Sequence, residues 1–272
     1  MRIFAFGGTE EDWAEAKREQ TLNIEGVNGR FRISTADEQI GHCIFLRGEC
    51  EYGKVKYMLE FLRSRNLIPE VGKGTMIDAG AHIGEVAISL LVRNEFERAI
   101  AVEPEPKNYE LLCYNVEQNG LDGRIETHDC ALSDREGEIL LELNTVNTGD
   151  NRVCRSGKSD WPTTTVKTRT LDSIVAGRKI DLVWMDVQGH DGWAIKGGTE
   201  LFSTGLPFVD EIWPYGVARS GMDLEEYIGL MQSHWPSFYF MGEVYGVAHF
   251  RPFVYNILAD PDGNFRDVLL CG

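Results

Sequence analysis

The fold of this chain is decided by the stretch Ile77-Asp78-Ala79-Gly80-Ala81-His82-Ile83-Gly84 and by Ala101-Val102-Glu103-Pro104, which follows it. Each stretch reads as a buried strand that ends in an acidic residue, and the two acids are about 25 residues apart. The glycines allow the backbone to approach a ligand closely, and the second acid can accept hydrogen bonds from ribose hydroxyls. The two stretches therefore predict an α/β sheet that holds an adenine nucleoside.

The glycines follow the pattern D-x-G-x-x-x-G and not the G-x-G-x-x-G of dinucleotide-binding folds. Gly80 has no glycine two residues after it, so the backbone cradle for a pyrophosphate is missing. An adenosine ligand without phosphates fits this pattern better, and we expect S-adenosyl-L-methionine. An NAD-linked enzyme is the less favoured alternative. Pro104 fixes the direction in which the chain leaves the second strand.

Composition restricts the class of protein further. The 272 residues suit one large domain with an extension, and we expect an N-terminal extension over residues 1–70 and an α/β domain over residues 71–272. The net charge of −16 disfavours nucleic acid as a partner. The six cysteines form no C-x-x-C pair, which favours free thiols and a cytoplasmic location. No apolar run approaches the ~20 residues of a membrane span.

Helices and strands alternate from residue 51 onwards. Residues 51–65 have apolar side chains at the spacing of an amphipathic helix. The alternation after residue 75 predicts a Rossmann-like sheet of seven mostly parallel strands, with ligands at the carboxyl ends of the strands. We expect the sheet to close with a hairpin of residues 238–241 and 254–258.

Two other regions have no such alternation. Residues 1–50 are predicted to be irregular or β-rich, with turns at Gly7-Gly8 and Asn28-Gly29. Residues 138–143 and 165–170 read as a further strand pair. The polar residues between them, 144–164, form a long loop, which together with the helix from Glu51 we expect to cover the acceptor pocket.

Candidate ligand-binding residues lie at the ends of the predicted strands. His82 follows Gly80 by two residues and could contact the cofactor, although a lone histidine there is also a common turn residue. Asp129 ends the third strand, where it could accept a hydrogen bond from the adenine edge. A solvated turn residue is an equally good interpretation of Asp129.

Candidate catalytic residues follow the later strands. Asp186 ends a parallel strand at the mouth of the predicted site and could orient the acceptor or act as a base. His190 is an alternative base, or caps the following helix. Asp186, His190 and Asp191 together could also ligate a divalent metal, which we favour less. Glu211 ends the next strand and could accept a proton if its pKa were raised, or simply face solvent.

In this order the motifs resemble the FkbM-type S-adenosylmethionine-dependent methyltransferases, over roughly residues 50–213. The family pattern is D-x-G-A-N-x-G, then E-P-x-P, A-L-S, T-L-D and D-V-x-G-x-E. This chain has the corresponding segments Asp78–Gly84, Glu103–Pro106, Ala131–Ser133, Thr170–Asp172 and Asp186–Asp191. His82 replaces the usual Asn and Asp191 the usual Glu, both beside the expected cofactor and substrate.

The resemblance implies a class I methyltransferase fold and an enzyme that binds S-adenosyl-L-methionine through Asp78, Gly80 and Glu103. The family mostly methylates hydroxyls, so the expected acceptor is a sugar, a glycolipid or a natural-product small molecule, and the expected activity is O-methylation. A protein that binds an adenosyl ligand without catalysis is the alternative. Neither the acceptor's identity nor the oligomeric state follows from the sequence.

Overall fold

The computed structural model describes residues 3–260 and 265–272. A small sheet and three helices form the N-terminal part. Its elements are β1 (Ile3–Ala5), α1 (Glu10–Ala16), β2 (Thr21–Gly26), β3 (Gly29–Ser34), α2 (Ile40–Arg47) and α3 (Tyr52–Ser64). β2 and β3 form a hairpin across the predicted turn at Asn28-Gly29, and α3 confirms the helix predicted for residues 51–65. α1 and α2 were not predicted.

The rest of the chain alternates between strands and helices, as predicted. The elements between residues 75 and 169 are β4 (Thr75–Ala79), α4 (Glu85–Val92), β5 (Arg98–Val102), α5 (Pro106–Gln118), β6 (Ile125–His128), β7 (Ala131–Leu132), β8 (Gly137–Glu142), β9 (Arg152–Cys154) and β10 (Thr163–Arg169). The later elements are α6 (Leu171–Val175), β11 (Leu182–Met185), α7 (Asp191–Lys196), α8 (Thr199–Phe202), β12 (Phe208–Ile212), α9 (Pro214–Arg219), α10 (Leu224–His234), β13 (Ser237–Phe240), β14 (Glu243–Gly246), α11 (Phe250–Ala259) and β15 (Arg266–Cys271). None of the helices in the described ranges is long and apolar enough to cross a membrane.

The central sheet has the Rossmann-like arrangement that we predicted. Within the described residues its strand order is β14-β13-β15-β12-β11-β4-β5-β6. The strands from β12 to β6 are parallel, and β15 runs antiparallel between β12 and β13. The sheet has eight strands and not the expected seven, because β14 pairs with β13 and adds one edge strand.

The prediction that residues 254–258 form the second strand of a terminal hairpin is wrong. Residues 254–258 lie in α11, and β13 pairs with β14 and β15 instead. Phe250, Val254 and Ile257 are buried along one side of α11, at the i, i+4 and i+7 spacing of a helix. A short apolar run taken alone does not separate a strand from a buried helical turn, which explains the error.

Besides the N-terminal sheet and the central sheet, a four-stranded sheet has the strand order β7-β10-β8-β9. Its antiparallel pair β8 and β10 confirms the strand pair predicted near residues 138–143 and 165–170. The segment 144–164 is not a loop throughout, because it contains β9, which pairs with β8, and the first residues of β10. What remains of the loop is in two pieces, residues 144–151 before β9 and residues 155–162 between β9 and β10.

Alternation along the strands of the central sheet decides which acids share a face. Trp184 packs in a core with α3, α4 and the N-terminal sheet, whereas Met185 packs in the core on the opposite face. In β12, Asp210 pairs with Met185 of β11 and lies on the same face of the sheet as Met185. The next residue, Glu211, therefore lies on the other face, towards the N-terminal elements. These elements share one core with the sheet, and the division at residue 70 stays a prediction.

The turn after β4 touches the end of β11. Gly80 has a φ of +85°, and a Cβ atom added to it would lie 1.9 Å from the carbonyl oxygen of Asp186. Real Cβ atoms do not approach another heavy atom this closely, so only glycine fits. Gly80 therefore allows Asp186 to lie beside the first turn of the site.

Gly80→Ala tests this close approach against Gly221→Ala as its matched control. Gly221 has nearly the same φ, +84°, but open space around an added Cβ. A left-handed alanine costs about 1 kcal/mol, and overpacking adds roughly 1–3 kcal/mol. We expect urea denaturation to give a clearly larger loss of unfolding free energy for Gly80→Ala. Equal losses in the two variants would contradict the close approach.

Candidate active site

The turn after β4 is tied to the end of β5 by hydrogen bonds. The backbone N–H groups of Gly80 and Ala81 both donate to the carbonyl oxygen of Val102, each at 2.9 Å. The N–H of His82 donates to Oε2 of Glu103 at 2.9 Å. His82 takes a positive φ of 50° in this turn. The two predicted motifs thus form one continuous structure at the carboxyl edge of the sheet.

Glu103 is buried in the centre of this structure. Its Oε1 atom accepts a hydrogen bond from the N–H of Glu105 at 2.8 Å, and its Oε2 atom accepts the one from His82. Burial raises the pKa of the Glu103 carboxyl to about 7. Each carboxylate oxygen has a second lone pair, so Glu103 can accept further hydrogen bonds from a ligand.

A small cavity of about 40 Å³, partly open to solvent, lies against this edge. The apolar part of the wall comes from Val102, Cys130, Ala131, Leu132, Leu141, Val153 and Val187. The polar part comes from His82, Glu103, Thr148, Asn151, Asp186, Gln188 and His190, with Gly80, Pro104 and Gly149 completing the lining. We call it the cofactor cavity.

The predicted site residues divide into two groups. Gly80, His82, Glu103, Pro104, Asp186 and His190 line the cofactor cavity. Asp78, Gly84, Asp129 and Glu211 are not part of its lining.

Asp78 and Gly84 act behind the cavity wall. Asp78 is buried, and its Oδ2 atom accepts a hydrogen bond from the N–H of Ala87 in the first turn of α4 at 2.9 Å. Burial raises the pKa of Asp78 to about 7. Gly84 precedes α4 with a φ of +90°, and a Cβ atom there would lie 2.7 Å from side chains of Ile88 and Leu112. Both residues hold α4 against the sheet.

Asp129 lies outside the cavity. Its side chain is 60% exposed, and Oδ2 accepts a hydrogen bond from Nζ of Lys167 at 2.9 Å. The Lys167 hydrogen bond lowers the pKa of Asp129. The neighbouring Cys130, Ala131 and Leu132 line the wall instead.

The segment after β8 covers part of the cofactor cavity. Nε2 of His82 lies 2.8 Å from Oγ1 of Thr148, and Nδ2 of Asn108 donates to the Thr148 carbonyl oxygen at 2.9 Å. Nδ2 of Asn151 donates to the same carbonyl at 2.8 Å. The sequence indicated a polar cover here but not which residues hold it, since the contacts from His82 and Asn108 join positions far apart in the chain.

Asp186 is the second acid that lines the cavity, besides Glu103. Its Oδ1 atom accepts a hydrogen bond from Nε2 of Gln188 at 2.6 Å. Burial, with a smaller contribution from the charge of Asp191, raises the pKa of Asp186 to about 7. At neutral pH this carboxyl can therefore both accept and release a proton.

His190 lines the same cavity but is held neutral. Its Nε2 atom lies 3.1 Å from Oγ of Ser133, and its Nδ1 atom has no hydrogen-bond partner among the described residues. Burial, reinforced by the charge of Arg155, lowers the pKa of His190 to about 3. A neutral imidazole with so low a pKa is a weak proton acceptor, so the base role fits His190 less well than Asp186.

Glu211 lies next to Asp186 on the neighbouring strand and beside Asp267 on the strand after that. Met185 is paired with Asp210, and Glu211 is paired with Asp267. Burial and the charge of Asp186 raise the pKa of Glu211 to about 9. We call Asp186, Glu211 and Asp267 the carboxylate row.

Lys54 of α3 reaches the carboxylate row. Its Nζ atom lies 3.1 Å from Oδ2 of Asp267 and forms a second ion pair with Glu51. The ammonium group also lies 5.7 Å from the ring centre of Trp184. Sequence reasoning missed Lys54 and Asp267, because neither belongs to a strand-end motif. Helix α3 brings Lys54 to the site through the packing of its buried apolar side.

Asp191 points away from this row into the opposite core. It is buried beside Asp210, whose Oδ2 accepts a hydrogen bond from the hydroxyl of Tyr227 at 2.7 Å. Burial raises the pKa of Asp191 to about 6, against the opposing effect of hydrogen bonds with Asp210 and with nearby backbone N–H groups. No group of three or more His, Cys, Asp or Glu residues has the arrangement of a metal site within residues 3–260 and 265–272.

Residues 78–241, more than half of the chain, match a family model described as the methyltransferase FkbM domain. Among solved structures, the chain is similar to methyltransferase FkbM from Methylobacillus flagellatus, with 20% identity and a TM-score of 0.43. That match covers 61% of this chain and 39% of the other. No curated protein matches the sequence.

Two further solved structures are similar at lower identity. An O-methyltransferase from Bacillus cereus in complex with S-adenosylhomocysteine (SAH) has 13% identity and a TM-score of 0.41, over 82% of this chain and 83% of the other. The tRNA m1G37 methyltransferase of M. jannaschii has 11% identity and a TM-score of 0.41, over 80% of this chain and 49% of the other.

The buried pair of acids, Asp191 and Asp210, predicts that Asp210→Asn stabilises the protein. Burial and the charge of Asp191 raise the folded-state pKa of Asp210 well above its usual value. As pH rises through about 3.9, the unfolded chain loses this proton while the folded chain keeps it, so the wild type loses stability. An asparagine can donate to Asp191 and still accept from Tyr227. We expect the variant to be more stable by about 1 kcal/mol or more at pH 8, and by less at pH 5.

Urea denaturation of Asp210→Asn at the two pH values checks this, with the exposed Asp122→Asn as control. Asp122→Asn should change stability little at either pH. A less stable Asp210→Asn protein at pH 8, or a difference that does not depend on pH, would contradict the account of the acid pair.

Proposed function

The chain belongs to the FkbM methyltransferase domain family, and we propose that it transfers a methyl group from S-adenosyl-L-methionine to a hydroxyl of a sugar, a glycolipid or a natural-product small molecule. The observation that carries this proposal is that Glu103 and Asp186 line one cavity with an apolar wall. Glu103 is suited to ribose hydroxyls, and Asp186 to the acceptor.

The residues of the cofactor cavity fit an adenosyl ligand with a cationic sulfonium. The apolar side chains of Val102, Ala131 and Leu132 suit an adenine ring. Two buried atoms that line the cavity, Nδ1 of His82 and Nδ1 of His190, have no partner in the described part of the chain and can pair with ligand groups. The acids supply negative charge for a cation.

The cofactor, when bound, supplies an electrophilic methyl group: an O–CH₃ bond forms as the S–CH₃ bond breaks, and the hydroxyl proton is released. The protein mainly has to hold the two reactants in line. Asp186 takes up the proton in this proposal, which is supported by its position in the cavity lining and by its pKa of about 7. Gln188 holds the Asp186 carboxylate through the hydrogen bond to Oδ1.

The charge of the protein supports a small acceptor and not a nucleic acid. The net charge is −16, and the row that continues from Asp186 is also acidic. A polyanion would be repelled by both.

The six cysteines are free thiols, which supports action in the reducing cytoplasm.

Asp186→Asn tests the proposal. Release of SAH is measured across pH with a panel of hydroxyl compounds. For the wild type we expect the rate to rise with pH through about 7, since only the ionised carboxylate can accept the proton. The variant should lose about 10²–10⁴-fold in kcat and lose this rise, while SAH affinity is kept.

The exposed Glu200→Gln is the control and should leave the rate unchanged. An Asp186→Asn protein with full turnover would remove Asp186 from the reaction. A wild type that releases no SAH with any hydroxyl compound while an amine acceptor reacts would overturn O-methylation itself.

A further inference from the structure

A second opening lies beside the carboxylate row, on the side away from the cofactor cavity. It is an open groove of about 380 Å³ between α3, the turn after β13 and the start of β15. We call it the α3 groove and define it by its lining residues Lys54, Met58, Phe240, Met241, Phe265, Arg266 and Asp267.

The carboxylate row connects the two openings. Asp186 lines the cofactor cavity, and Asp267 lines the α3 groove. Glu211 lies between them, because it pairs with Asp267 and directly follows Asp210, which pairs with Met185, the residue before Asp186. The charges of Asp186 and Asp267 both act on Glu211, which reflects how closely the three carboxyls lie. A molecule in the α3 groove would therefore have its polar end at the row that leads to Asp186.

The groove combines a charged floor with an apolar rim. Lys54 and Asp267 form a half-buried ion pair at 3.1 Å. Met241 is 83% exposed and Phe265 is 51% exposed, although both are large and apolar. Neighbouring exposed apolar side chains usually mark a binding surface, and methionine adapts its shape to different ligands.

The size of the groove favours a small molecule over a protein. Stable protein interfaces use roughly 20–30 residues on each side, far more than line this groove. Its volume falls within the roughly 300–1,000 Å³ of small-molecule pockets. The lining combines charged side chains with large apolar ones, so the matching ligand is amphipathic.

We propose that the α3 groove is the acceptor site and that it takes a hydroxyl compound with an apolar chain or ring. The apolar body lies on Met58, Met241 and Phe265, and the hydroxyl end points along the carboxylate row towards Asp186. Lys54 and Asp267 bind the polar groups of the acceptor nearest the row. This inference rests on the proposed methyltransferase function and narrows its acceptor to the amphipathic class.

Two glucosides with the same polar head test the inference. n-Octyl β-D-glucoside, below the concentration at which it forms micelles, and methyl β-D-glucoside are titrated calorimetrically into the full-length protein with saturating SAH. We expect the octyl compound to bind at least about tenfold more tightly than the methyl compound, which is about 1.4 kcal/mol. Equal affinities would overturn the inference.

Met241→Glu locates the binding, and Val71→Glu is its matched control. Both replace an exposed apolar residue by glutamate, but Val71 lies outside the α3 groove and is 55% exposed. Met241→Glu should weaken octyl glucoside at least about tenfold and Val71→Glu should not, since a charge on the rim opposes the alkyl chain. Binding of octyl glucoside that Met241→Glu leaves unchanged would place it elsewhere and overturn the inference.

SAH binding, measured on the same samples, separates this inference from the proposed function. Retained SAH affinity in Met241→Glu demonstrates that the variant is folded. If the wild type binds octyl glucoside without SAH but SAH itself does not bind, the proposed function fails while the groove keeps its ligand class. If SAH binds and both glucosides bind equally, only the acceptor class fails.

Discussion

The close approach of Gly80 to the carbonyl oxygen of Asp186 is the constraint on which the site depends. An added Cβ would lie 1.9 Å from that oxygen, so the first turn and the end of β11 can meet only at a glycine. This contact brings Asp186 to the cavity in which Glu103 is already fixed by the backbone N–H groups of His82 and Glu105. Two acids from strands separated along the sheet by β4 therefore line one cavity.

Buried carboxyls dominate the electrostatics of this region. Burial raises the pKa of Glu103 and Asp186 to about 7 and that of Glu211 to about 9. Such groups are costly to ionise unless a positive charge lies near them. Lys54 supplies one charge at the far end of the row, beside Asp267. A cationic ligand in the cofactor cavity would supply a second at the Asp186 end, which agrees in charge with the sulfonium of the proposed cofactor.

The sequence predicted those features of the fold and the site that depend on local sequence patterns. The acids at strand ends, the parallel sheet and the helix α3 followed from glycine motifs and apolar spacing. The strand expected at residues 254–258 was wrong. So short an apolar run agrees with the spacing of a strand as well as with that of a helix, and only the burial of Phe250 and Ile257 on one side identifies the helix. Lys54, Asp267 and Thr148 could not be found at all, because tertiary packing alone brings them to the site. Asp78 was expected at the ligand and instead binds the first turn of α4.

The central claim is that the cofactor cavity holds an adenosyl sulfonium ligand and not a dinucleotide. Thermal unfolding of the protein with SAH, S-adenosyl-L-methionine and NAD, each at the same concentration, tests it most directly. A ligand at 100 times its Kd stabilises the native state by about 2.7 kcal/mol. The account predicts a raised midpoint with both adenosyl ligands, no rise with NAD, and a smaller rise in Glu103→Gln. A rise with NAD alone, or no rise with either adenosyl ligand, would contradict it.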